Sequence, residues 1–123
     1  MTNYTLRQEL LEYIRNLKDR DYQENCWVKN NCPPNVEYDE LKLTINFLFD
    51  DTVFAENPEY YLGAELQDKG EVSAVADVCR ELRQSLNKIG VNKEDIEYIS
   101  DPCWDNVISK AEFAYQLLSV QNS

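Results

Sequence analysis

The sequence predicts an all-α fold, a compact bundle of four main helices with two short helices. Apolar residues recur three and four positions apart over long stretches, and only three Gly and four Pro interrupt the 123 residues. No alternating pattern of useful length argues for a sheet. The length suits a single domain spanning 1–123 with one buried core.

Thr5 can cap a first helix in which Leu6, Leu10, Tyr13, Ile14 and Leu17 share a face, with Gln8 placed to complete a capping box. That helix is expected to end near Lys18. Residues 19–36 are polar and broken by Pro33-Pro34; apart from the apolar anchors Tyr22, Trp27 and Val28 they predict a short helical turn and an ordered loop. From Tyr38 onward, Leu41, Ile45, Leu48 and Phe49 return to helical spacing. Thr44, Ile45, Phe47 and Phe49 would also suit a strand, but the length of the run favours a helix. Asp50, Asp51 and Thr52 act as its stop, and Asn57-Pro58 starts a short helix through Tyr61 and Leu62 that Gly63 terminates. The clearest helix runs from about Glu71 to Lys88, with Val72, Val75, Cys79, Leu82, Leu86 and Ile89 on one stripe and Gly90 just past the end. Asn92 begins a turn. Asp101 and Pro102 then supply a cap and a first-turn proline for a last helix bearing Trp104, Val107, Ile108, Ala111, Tyr115 and Leu118.

Charge narrows the function. Twenty-three acids against 12 bases leave a net charge of -11, a field that repels phosphate backbones and anionic lipid, so nucleic acid and membrane surfaces are poor partners. Residues 37–71 hold ten acids and two bases, which is -8 of that -11. One reading is that the acidity serves solubility alone. The other is steering toward a basic partner, since focused charge raises association rates roughly 10 to 1000 fold. No apolar run approaches the roughly 20 residues of a membrane span, and the segment from Met1 to Tyr4 lacks the basic and apolar regions of a signal peptide, so the expected location is cytoplasmic. Cys26, Cys32, Cys79 and Cys103 form no CxxC pair in a chain large enough to fold without staples, and are expected to be reduced thiols.

Little in the sequence points to catalysis. Histidine is absent, which removes the usual general base, the serine-hydrolase triad and the commonest transition-metal ligand. There is no GxGxxG, GxxxxGKS, GxSxG or DxDxDG signature. Five residues separate the closest two cysteines, whereas structural zinc sites pair ligands roughly two to four apart. Asp50-Asp51 and Asp39-Glu40 could form acid and base pairs, but adjacent side chains point in different directions on a helix, which fits caps or solvated surface better. No catalytic residue, metal or cofactor is therefore expected.

The aromatic content points to contact surface. Tyr60-Tyr61 lies beside Glu56 and Glu59 in a chain with eight Tyr, four Phe and two Trp. Tyrosine brings rigid contact area at low entropic cost, and acids pair with the Arg and Lys that nucleases use to hold phosphate. For any single ring, packing into the core is the simpler explanation. The expected contact face is the acidic segment from Glu37 to Glu71, with Asp39, Asp50, Asp51, Glu56, Glu59 and Tyr60 as partner-binding residues.

The assembled pattern resembles a family of short, uncharacterised bacterial proteins, largely from actinomycetes, with no established activity. The resemblance covers most of the chain. It rests on Leu6-Arg7-Gln8-Glu9-Leu10, the Tyr22 to Trp27-Val28 segment, Tyr38-Asp39, Phe47-Leu48-Phe49-Asp50-Asp51-Thr52, Asn57-Pro58-Glu59, Leu62-Gly63, Glu71-Val72 and Tyr98-Ile99-Ser100-Asp101-Pro102-Cys103-Trp104. It implies a small cytosolic domain and carries over no catalytic residue; Cys103 stands where the family pattern varies.

Three hypotheses follow. The first is an immunity or inhibitor protein that neutralises a basic partner, such as an antibacterial nuclease toxin of contact-dependent growth inhibition. The second is a housekeeping or regulatory interaction module whose binding barely depends on salt. A carboxylate-dependent enzyme ranks third. The sequence assigns neither the partner nor an oligomeric state.

Overall fold

The computed structural model describes residues 5–121, and they form a helical bundle with no strand among them. The first helix, α1 (Leu6–Leu17), starts as expected: Thr5 Oγ1 accepts from the Gln8 N–H at 3.1 Å, and Gln8 Oε1 accepts from the Thr5 N–H at 2.9 Å. This reciprocal cap satisfies two backbone donors that the first turn would otherwise leave open. Its buried stripe is Arg7, Leu10, Ile14 and Leu17.

A second helix, α2, covers 20–28, longer than the short turn expected. Asp19 caps it, and its π-helical part, Gln23–Val28, buries Gln23, Cys26 and Trp27. Gln23 is fully enclosed and joins three helices. Its Nε2 donates to the Asn16 and Leu17 carbonyls at 2.8 and 3.0 Å, and its Oε1 accepts from Trp104 Nε1 at 2.8 Å. The last carbonyls of α1, which have no intrahelical partner, are met this way. Of the three apolar anchors expected in this segment, Trp27 is buried and Tyr22 half-buried, whereas Val28 is 39% exposed.

The loop after α2 corrects the expectation of four reduced thiols. Asn30 takes a left-handed conformation (φ 56°) that turns the chain back, and Cys32 meets Cys26 in a disulfide with the Cα atoms 4.2 Å apart. Asparagine tolerates that conformation better than most residues. Only Cys79 and Cys103 are free.

Helix α3 covers 41–51, beginning as Leu41–Ile45 and continuing as a π-helix over Asn46–Asp51. Leu41, Thr44, Phe47 and Leu48 face inward, while Ile45 and Phe49 are only half-buried. Thr52 ends the helix, its hydroxyl and N–H both donating to the Phe47 carbonyl at 2.7 and 3.1 Å. A 3-10 turn, Pro58–Tyr61, follows, and Gly63 (φ 86°) reverses the chain after it.

Helix α4 (Lys69–Ile89) is capped by Asp68 and closed by Gly90 at φ 106°. A short helix that the sequence reading missed, α5 (Asp95–Ile99), precedes α6 (Trp104–Gln121). Asp101 accepts from the Cys103 N–H at 2.9 Å and leads the chain into α6, as expected. The helix α6 packs against both α4 and α1. Trp104, Val107, Ala111, Ala114 and Leu118 are completely buried along it, and enclosing Trp104 alone contributes on the order of 4 kcal/mol.

Candidate functional site

The end of α3 and the 3-10 turn build a ridge on an aromatic stack. Tyr13 of α1 lies over Phe47 of α3 with centroids 4.4 Å apart, Phe47 lies 6.0 Å from Phe54, and Phe54 stacks on Tyr61 at 4.1 Å. Tyr60 meets the edge of Tyr61 at 5.2 Å and is 72% exposed. Hydrogen bonds hold the backbone of the turn as well. Val53 N–H donates to the Tyr61 hydroxyl, Ala55 N–H to the Leu48 carbonyl and Asn57 N–H to the Val53 carbonyl. Such a fixed, outward tyrosine loses little entropy on contact.

Asp50, Asp51, Glu56 and Glu59 are all exposed on this segment, so the structure brings five of the six expected contact residues onto one short stretch. None of these four carboxylates is in an ion pair among the described residues. Of the four, Asp51 also acts inward, on Tyr13. Burial first, then Glu9, Asp39, Asp51 and Glu12, raise the Tyr13 phenol above its ordinary pKa.

Asp39, the sixth, is a correction. It is buried, and its Oδ2 accepts from Tyr22 Oη at 2.7 Å, Trp27 Nε1 at 2.9 Å and Asn16 Nδ2 at 3.4 Å, while Oδ1 accepts from the Glu40 N–H at 2.9 Å. A carboxylate sharing its charge among four donors is a clamp between α1, α2 and α3, not a contact for a partner. Burial and this hydrogen bond together push the Tyr22 phenol far above its usual range. Glu71, the far boundary of the expected face, is also enclosed, its carboxylate held by Arg7. Charge counting along the sequence could not separate these two buried acids from the exposed ones.

A second surface was not anticipated. Two adjoining hollows of about 220 and 350 Å³ share Glu40, Asn92, Lys93 and Asp95 and form one groove between the start of α3, α5 and the end of α2. Asp95 is half-buried, and its Oδ2 caps α3 by accepting from the Leu41 N–H at 3.1 Å. Burial raises the Asp95 pKa, against that hydrogen bond, and Glu40, Glu94 and Asp39 raise it further. Tyr98 fixes the wall, its hydroxyl donating to the Gly90 carbonyl at 2.5 Å.

A family model described as a domain of unknown function (DUF7945) matches residues 1–123. The chain belongs to this family. No curated protein and no solved structure matches it. Within this DUF7945 fold the free thiols are poor nucleophiles: burial pushes Cys79 up to about 12, and burial also raises Cys103 despite its contact with Ser85 Oγ. Among the described residues, no helix is long and apolar enough to cross a membrane, and no three Cys, Asp or Glu side chains stand together as a metal cluster would.

Proposed function

We propose that this DUF7945 chain is a non-catalytic cytoplasmic binding protein that neutralises a basic partner, most concretely an immunity protein against an antibacterial toxin domain such as a nuclease. The bacterial, actinomycete-type source implied by the resemblance belongs to the same proposal. The observation that carries the reading is Tyr60, 72% exposed yet backed by a stack of buried rings and flanked by exposed carboxylates. An exposed aromatic anchor with exposed acids on the same segment suits a lysine- and arginine-rich surface: the ring supplies desolvated contact, and the acids supply steering and charge-assisted hydrogen bonds.

The test is binding to the protein encoded beside this gene, measured at low and high salt. Reversing Asp50→Lys, Asp51→Lys and Glu56→Lys together should slow association at least about tenfold at low salt, and Tyr60→Ala should cost about 2 kcal/mol, mainly through faster dissociation. Association that ignores both salt and the reversals would remove the ridge from the reading.

A further inference from the structure

We propose that the groove between α3, α5 and the end of α2 is a second docking site, which takes a partner segment presenting an arginine or lysine between apolar side chains. This surface is separate from the ridge, since the groove is built on the start of α3 and the ridge on its end. Nine large apolar side chains are exposed among the described residues, and four of them, Val28, Tyr38, Val91 and Ile96, line this one groove. Apolar side chains gathered round a hollow mark contact surface, in contrast to single scattered ones.

The centre of the groove is charged. Asp95 uses one oxygen to cap α3, and no described residue donates to the other. The charges that act on it are Glu40, Glu94 and Asp39, all negative. Lys42 and Lys93 also line the groove, but neither is in an ion pair with these carboxylates among the described residues. A guanidinium or ammonium placed beside Asp95 would relieve that repulsion and form a charge-assisted hydrogen bond. The apolar residues lie on both sides of the carboxylates: Ile45, Leu86 and Val91 at one end, Val28, Tyr38 and Ile96 at the other. A small free cation would leave both ends uncovered, whereas a peptide with apolar neighbours on each side of its basic residue covers them.

The experiment titrates the full, isotope-labelled chain with a short capped peptide carrying one arginine between leucines, and with the same peptide carrying glutamine, following backbone amides by NMR. The arginine peptide should shift the amides of Val28, Val91, Lys93, Asp95 and Ile96, and the glutamine peptide should bind at least about tenfold more weakly. Asp95→Asn retains an oxygen for the Leu41 N–H, so the fold is kept while the preference for arginine disappears. Ile96→Ser, at an exposed position, should weaken both peptides. Equal binding of the two peptides, or no shifts at the groove, overturns the proposal. So does methylguanidinium alone matching the arginine peptide, which would make the groove a small-cation pocket. Shifts confined to residues 50–60 would also overturn it while leaving the ridge reading intact.

Discussion

Replacing Arg7 with alanine should cost about 4 kcal/mol, because it strips the partner from a carboxylate that has no access to water. Arg7 is 11% exposed and Glu71 0% at the side chain. The guanidinium engages the carboxylate with both arms, at 2.8 and 2.9 Å, and also donates to the Glu65 carbonyl at 2.7 Å and the Leu118 carbonyl at 2.9 Å. The Gln67 N–H donates to Glu71 as well, at 2.8 Å. In Arg7→Ala this backbone donor remains but the positive charge is gone, and breaking a buried pair from one side typically costs about 3–5 kcal/mol. For a chain of this size that is a fall in Tm on the order of 15 °C. Urea denaturation followed through buried Trp27 and Trp104 measures it directly. Joint replacement, Arg7→Met with Glu71→Leu, should recover most of the loss, since two apolar side chains leave no uncompensated charge. A cost below about 1 kcal/mol for Arg7→Ala would refute the reasoning, as would a double variant whose loss is the sum of the singles.

Three further outcomes follow from the same contacts. Asp39→Ala should destabilise by about 3 kcal/mol by leaving Trp27 Nε1 and Tyr22 Oη without their acceptor, read as a lower Tm and altered tryptophan emission. Reducing the Cys26–Cys32 disulfide should cost about 2 kcal/mol, the loop-entropy value for so short a ring, with faster amide exchange over residues 29–37 and little change in α4. Asp95 supplies the pH test. Its folded pKa is raised above the ordinary 3.8, so the folded state holds the proton more tightly and stability falls as pH rises through that window. Asp95→Asn should therefore be more stable than the parent at pH 7, with the gap closing below the ordinary Asp value; an equal gap at pH 3 and pH 7 would count against it.

Much of the architecture was legible because its causes are local. Thr5 and Gln8, Gly63 and Gly90, and the stripe from Val72 to Leu82 announce helix ends and faces through side-chain chemistry and spacing alone. The segment 41–51 was harder. Its apolar residues are at helical spacing, but the inward face carries Thr44 and Phe47 with Leu41 and Leu48, and leaves Ile45 and Phe49 half-buried, which spacing alone did not decide. Helix α5 is five residues of mixed polarity, too short to show a period. The ridge was readable as a run of acids beside tyrosines. The roles of Asp39 and Glu71 were not, because each depends on donors from distant parts of the chain, Trp27 and Asn16 for one and Arg7 for the other. The disulfide was hidden for a similar reason: the reversal at Asn30 that joins Cys26 to Cys32 is a backbone conformation.

The hold that Arg7 takes on the Leu118 carbonyl, 111 residues away, also orders events on the ribosome. α1 is synthesised well before α6, yet its apolar stripe of Leu10, Ile14 and Leu17 packs chiefly against α6. Until α6 emerges that stripe lacks its main neighbour, and Arg7 lacks the Leu118 carbonyl although Glu71 is already made. The bundle is therefore expected to close only once α6 is available, and a chain truncated within α4 or α5 should expose the α1 stripe and be more sensitive to proteolysis than the chain that contains α6.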